Sequence, residues 1–135
     1  MANSLIMMAT TTNSPVIANG IIPLTTITRR RGQVLTSSLN NVLLTRPGYY
    51  KVNGSITFTA PAAGVASVQL QKNDVNIVGV AASTSITTAT TEVRTLNISG
   101  IVRVICSEGL ATLTLVNSGV AITTSNVELD VEYLG

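Results

Sequence analysis

The sequence predicts an all-β protein, an antiparallel sandwich or jelly roll built from about ten short strands. Three observations carry that expectation. The first is the stretch Pro47 to Ala60, where Tyr50, Val52, Ile56 and Phe58 share one face and Tyr49, Lys51, Asn53, Ser55, Thr57 and Thr59 share the other. A side-chain period of two is what a strand needs when one face meets a core and the other meets water. The second is composition. Hydrophobic residues make up 45% of the 135 residues, yet aromatics are only 3%, so the apolar content is Val, Ile, Leu and Ala. Together with abundant Thr this is strand-favouring chemistry. The third is punctuation: turn signals recur roughly every 8–12 residues, the spacing of a β-sandwich.

Taken in order, Leu5 to Met8 reads as a short strand, apolar on both faces. Thr10 to Pro15 reads as a loop. Val16-Ile17 and Ile21 to Thr28 read as strands separated by the turn pair Asn19-Gly20. Pro23 restricts the second of these to an edge or a bulge, because it cannot donate to a ladder. Gln33 to Ser37 and Val42 to Thr45 flank Asn40-Asn41. After the central strand comes the loop Ala60 to Gly64. Ala66, Val68 and Leu70 then alternate with Ser67, Gln69 and Gln71. Lys72-Asn73-Asp74 predicts a tight hairpin, since Asn and Asp tolerate the left-handed conformation. Val75 to Ala82 is the returning strand, and Ser83 to Thr91 a polar loop or edge.

Leu96, Ile98, Val102, Val104 and Cys106 share one face of the following stretch, with Gly100 as a bulge or close-packing point. Ile101 and Ile105 flank Arg103 on the opposite face. A strand apolar on both faces is expected to be covered on both, here by a core and by another subunit. Leu113 and Leu115 mark the next strand, between turns at Glu108-Gly109 and at Asn117-Ser118-Gly119. The last strand places Val127, Leu129, Val131 and Tyr133 inward and Glu128, Asp130 and Glu132 outward.

The composition also bounds function. Only 10% of residues are charged, well under the quarter typical of soluble domains. A surface with so few charges is built from Thr, Ser and Asn, or is covered by neighbouring subunits. The formal net charge of +2 is too small to imply nucleic-acid or membrane binding. The one cysteine, Cys106, excludes an intrachain disulfide and reads as a small core residue. The first eight residues lack a basic n-region, so no signal peptide is expected, and no run of roughly 18 apolar residues suggests a membrane span. The product is expected to be made and kept in a cytosol, or to be carried out by something other than secretion.

No catalytic constellation is present. With no His in the chain, Ser-His and Cys-His catalysis and His-based metal sites are excluded, and no cofactor is expected. Glu128, Asp130 and Glu132 could bind Ca²⁺ if trimer symmetry gathered them; the plain alternative is a solvated or Arg-paired strand face. Arg29-Arg30-Arg31 is the one dense charge run. It reads as a solvated loop, as a docking contact for an acidic surface through guanidinium–carboxylate pairs, or as a nucleic-acid contact, which would want interleaved aromatics that are missing. Asn53-Gly54-Ser55 and Asn97-Ile98-Ser99 match the glycosylation pattern and, with no secretory route, read as chance matches.

Four segments carry a resemblance. Pro47-Gly48-Tyr49-Tyr50-Lys51-Val52 resembles the Gly-x-Tyr-x-(hydrophobic) strand of C1q/TNF-like domains. Val68 to Val75 resembles their hairpin, with Asp74 where a Gly is usual. Leu96 to Val104 followed by Leu113 to Asn117 resembles their paired central strands, and Val127 to Gly135 their closing strand. The likeness is to the bacterial and phage type, including the C-terminal domain of spore-surface BclA-type glycoproteins. It spans about residues 15–135, leaving residues 1–14 as an N-terminal strand or arm. The resemblance implies a ten-stranded jelly roll, assembled as a homotrimer, that serves as a structural and recognition scaffold and not as an enzyme. It implies that Tyr49, Tyr50 and Tyr133 pack near the threefold axis. The absence of a collagen stalk, signal peptide and anchor points away from cytokine or complement roles. It points toward a virion component, a capsid decoration or head-fibre protein, docked on a major capsid or other virion protein through residues 1–32 with Arg29, Arg30 and Arg31. The alternative is a receptor- or glycan-binding fibre tip or a spore-surface adhesin.

Overall fold

The computed structural model describes residues 4–38 and 40–135. Among these, eleven strands form two antiparallel sheets, so the expected β-sandwich is what the chain adopts. The strands are β1 (Leu5–Thr10), β2 (Ser14–Val16), β3 (Thr26–Arg31), β4 (Leu35–Ser38), β5 (Asn41–Leu44), β6 (Gly48–Thr59), β7 (Gly64–Lys72), β8 (Val75–Ile86), β9 (Arg94–Val104), β10 (Ala111–Asn117) and β11 (Ile122–Tyr133). The first sheet runs β3-β1-β11-β6-β9, with β2 also pairing β11; the second runs β4-β5-β10-β7-β8.

The alternation seen in the sequence decides which side chains enter the core. From β6 these are Tyr50, Val52, Ile56 and Phe58, from β9 Leu96, Ile98, Val102 and Val104, and from β11 Val127, Leu129 and Val131. They meet Val42, Leu44, Ala66, Val68, Leu70, Leu113 and Leu115 of the second sheet. Each fully buried aliphatic or aromatic side chain contributes on the order of 1.5–3 kcal/mol. The Lys72–Val75 hairpin turns as expected, with Asn73 and Asp74 both left-handed at φ of 51° and 66°, the signature of a two-residue primed turn.

Within the N-terminal segment expected as a strand or arm, β1 is a strand of the first sheet, between β3 and β11, and buries Ile6 and Met8. Three expectations are corrected. The stretch Ile21 to Thr28 is a strand only from Thr26. Upstream, Ile21 makes one isolated bridge to Val116, while Ile22 and Leu24 are buried as single plugs. Pro23 falls outside any strand, and its carbonyl accepts the Thr10 hydroxyl at 2.9 Å. The arginine run is not a loop: Arg29, Arg30 and Arg31 end the edge strand β3. Cys106 is exposed and not a core residue, because β9 ends at Val104 and the chain turns into the short 3-10 helix Cys106–Glu108, where strand alternation no longer applies.

The Ser/Thr-rich stretch after Ala82 is part edge and part loop. β8 continues to Ile86 along the edge of the second sheet. The turn that follows is tied by Glu92, whose carboxylate accepts from the Thr88 and Thr87 backbone amides and the Thr87 hydroxyl, and from Arg94 at 2.6 Å. The Thr88 amide and then Arg94 are the main reasons its pKa is pushed down to about 2.

Candidate assembly surface

The outward face of the first sheet is where the sequence-derived candidates converge, and the strand register sets their order. Arg31, Leu5, Glu132, Lys51 and Ile101 form one row across β3, β1, β11, β6 and β9. Arg29, Met7, Asp130, Asn53 and Ser99 form the next. Ala9, Glu128, Ser55 and Asn97 form a third. The acidic column of β11 therefore runs down the middle of the face. On one side stands β1, apolar apart from backbone; on the other stand the amides and hydroxyls of β6 and β9.

Asp130 is the ridge between two shallow recesses. One, of about 310 Å³, is lined by Asn53, Ser55, Asn97, Ser99, Glu128 and Asp130. The other, of about 210 Å³, lies over Leu5, Met7, Lys51, Asn53, Asp130 and Glu132. The Asp130 Oδ1 atom is buried and accepts no hydrogen bond. Desolvation, and then the charge of Glu128, push its carboxyl pKa above the ordinary aspartate value. A pKa raised by folding stabilises the fold below the unfolded-state value and loses that contribution as pH rises through the folded value. Asp130→Asn is accordingly expected to melt above wild type at pH 7, with the gap closing at about pH 3. Thermal melts across that range check it, and an Asn variant less stable at neutral pH contradicts it. No group of three or more His, Cys, Asp or Glu able to hold a metal occurs among the described residues.

The two pairs of Asn and Ser in the glycosylation-like triplets face each other across β6 and β9, Asn53 opposite Ser99 and Ser55 opposite Asn97. They build the polar recess together, a juxtaposition that only strand pairing reveals.

One end of the face is apolar. Tyr49, Ile101 and Ile105 are 46%, 54% and 43% exposed, and Leu134 is exposed beside them. The Leu134 amide donates to the Tyr49 carbonyl at 2.8 Å. The Arg103 guanidinium sits 5.8 Å from the Tyr49 ring centroid, in reach of its π face.

The candidate tyrosines divide. Tyr49 faces out. Tyr50 is 0% exposed within the single chain, which corrects its placement near a neighbouring subunit: adjacent strand residues point to opposite faces, so Tyr50 belongs to the subunit's own core. Its hydroxyl donates to the Arg46 carbonyl at 2.6 Å, and burial is the main cause of its raised pKa. Tyr133 is half-buried, 4.9 Å from Tyr50 between ring centroids, with its hydroxyl donating to the Pro47 carbonyl at 2.8 Å. It props the turn under the apolar end. Gly48 is required there: at φ of 139°, a Cβ would stand 2.8 Å from the Tyr133 ring.

No protein-family model matches the sequence, and no curated protein matches it. Solved structures do. The TNF Eiger of S. frugiperda superposes with a TM-score of 0.74 at 12% identity, over 100% of this chain and 94% of that one. The globular domain of zebrafish complement 1qA gives 0.70 at 5% identity over 98% of each chain. PRD1 vertex protein P5 gives 0.62 at 13% identity, over 100% of this chain and 99% of that one. At such identities the shared property is the fold: the chain is a jelly roll of the C1q/TNF-like type.

Proposed function

We propose that this protein is a non-enzymatic structural component of a phage particle, a homotrimeric capsid decoration or head-fibre protein made in the host cytoplasm and displayed on the virion surface. The observation that carries the self-association half is the outward face of the first sheet. Tyr49, Ile101, Ile105 and Leu134 stand exposed there in a single chain, and elsewhere on the same face Asp130 holds a buried oxygen without a partner. Large apolar side chains gathered on one face mark an interaction surface. A standard interface covers about 800 Å² on each partner, so in a closed ring each subunit would cover roughly that much against each of two neighbours. The virion half draws support from PRD1 vertex protein P5, which the chain matches end to end. In this reading the trimer acts by shape and interface burial, and it docks on a major capsid or other virion protein with Arg29, Arg30 and Arg31 as polar contacts. Adding purified protein to undecorated shells and to host cells, then sedimenting each, tests the reading: co-sedimentation with shells supports it, and retention by cells alone overturns it.

A second reading, a receptor- or glycan-binding fibre tip or spore-surface adhesin, is favoured by the recess of Asn53, Ser55, Asn97, Ser99, Glu128 and Asp130. Amides, hydroxyls and carboxylates suit a hydroxyl-rich ligand, although no aromatic ring lines the recess for stacking. Cell retention in the same assay supports this reading.

A further inference from the structure

The two sides of the sandwich are closed differently. On one side, β8 of the second sheet packs directly on β9 of the first. Gly100 makes that approach possible, since a Cβ there would stand 2.6 Å from Val80 Cγ2. On the other side lie β3 and β4, each the last strand of its sheet. Between them opens a recess of about 520 Å³, lined by Met8, Leu24, Thr26, Ile27, Ser37 and Ser38. Met8 and Leu24 are buried at its floor, while Ile27 is 42% exposed. Beyond the recess Arg30 staples the two sheets, its Nε donating to the Leu35 carbonyl at 3.1 Å.

All six residues of β3 are exposed. One edge of the strand pairs with β1, and the other has no strand beside it among the described residues. Its sequence, Thr26-Ile27-Thr28-Arg29-Arg30-Arg31, holds three of the chain's eight Lys and Arg residues and no acid. The register sorts these side chains. Ile27 lies opposite Met8 and points toward the recess. Arg29 and Arg31 lie opposite Met7 and Leu5, on the outward face. The register shift between Met7 and Met8 falls at Thr28, whose hydroxyl donates to the Met7 carbonyl at 3.2 Å.

We infer that the free edge of β3 is a docking site for an extended acidic segment of another virion protein, which adds as one more strand of the first sheet. This rests on the particle-docking reading above and gives it a partner chemistry. In strand addition, main-chain hydrogen bonds supply affinity, and the side chains of alternate residues supply specificity. A strand laid along β3 places residues two apart opposite Arg29 and Arg31, where carboxylates form cross-strand ion pairs. Its alternate side chains face the recess, where an apolar group covers Ile27. The same arginines and the irregularity at Thr28 disfavour pairing of β3 with a copy of itself, because like charges opposite each other repel and bulges blunt open edges. The edge is thus closed to its own kind and open to an acidic strand.

The test uses the purified full chain and an end-blocked, fluorescein-labelled peptide of eight alternating Glu and Val residues, read by fluorescence anisotropy. A peptide with the same residues in two blocks, and one with Lys for Glu, serve as controls. The alternating acidic peptide should bind, more weakly as salt rises, and should slow hydrogen exchange of β3 amides. The double variant R29E and R31E, whose substitutions are exposed and whose fold is checked by circular dichroism, should lose at least tenfold in affinity and gain binding of the Lys peptide. Equal binding of the alternating and blocked peptides, or unchanged affinity in the double variant, overturns the inference. Shell binding with no peptide binding also overturns it while leaving the particle reading standing. Peptide binding with no shell binding supports the edge site and removes the particle reading.

Discussion

Ile101→Asp is expected to give a folded monomer. Ile101 stands on the outward face of β9, opposite Lys51, and is more than half exposed within the chain. The substitution therefore leaves the core of Leu96, Ile98, Val102 and Val104 untouched. In the proposed trimer it sets a carboxylate into an apolar contact, with Lys51 of β6 as its cross-strand neighbour. Taking a charge out of water costs several kcal/mol even beside a partner, so self-association should weaken by about 100-fold or more, which corresponds to ~3 kcal/mol. Sedimentation equilibrium with a parallel thermal melt separates the outcomes. A monomer that still unfolds cooperatively, at a melting temperature lowered by the lost association, supports the interface. An unchanged native mass places the contact elsewhere.

The largest expected loss of stability within one chain comes from Asn117→Ala. Asn117 is fully buried at the end of β10. Its side-chain amide donates to the carbonyls of Val16, Ile17 and Val120 at 3.3, 3.2 and 2.9 Å, and its Oδ1 accepts from the Gly119 amide at 3.0 Å. Its backbone pairs with Asn19 and Gly20. One side chain therefore joins the turn after β2 to the turn between β10 and β11, across a hundred residues of sequence. Alanine removes all four of these side-chain hydrogen bonds, each worth roughly 0.5–1.5 kcal/mol, while the Ile17 carbonyl keeps the Gly20 amide. A total of about 3 kcal/mol, or roughly a 10 °C fall in melting temperature, is expected. A loss under about 1 kcal/mol in urea unfolding contradicts this account of the turn.

Asn117 also shows where sequence reading stops. Asn117-Ser118-Gly119 is legible as a turn, because Asn and Gly are turn residues for local reasons. That the Asn amide reaches Val16 and Ile17 is not legible, because the partners are far away in sequence. The long strands were readable for the opposite reason. β6 and β9 each alternate over more than ten residues, β11 alternates on either side of its irregularity at Ser125, and a one-residue slip would turn every apolar side chain into water. The same alternation divides Tyr49 from Tyr50, whereas the family resemblance treats the tyrosines as a group. Cys106 reads as a core residue in sequence because it continues the apolar parity of β9 two residues past the point where the strand ends.

The candidate assembly face is a product of register. Glu128, Asp130 and Glu132 are visible in sequence as one side of a strand. Their placement between Met7 on β1 and Asn53 on β6 follows from the strand order β3-β1-β11-β6-β9, which sequence periodicity does not contain. The recess beside β3 is hidden for the same reason. β3 and β4 close neighbouring sheets, and only their arrangement in space leaves the edge of an arginine-bearing strand open.

The central claim is that the apolar end of the outward face of the first sheet, away from β3, is covered by copies of the same chain. Light scattering of the purified protein, at low and at high salt, tests it most directly. Because the proposed contact is built on Tyr49, Ile101, Ile105 and Leu134 and not on ion pairs, salt should not dissolve it. The account predicts a mass near three times 14.0 kDa in both conditions. A stable mass of 14.0 kDa in both contradicts it, and the exposed apolar end of the sheet would then need a different partner.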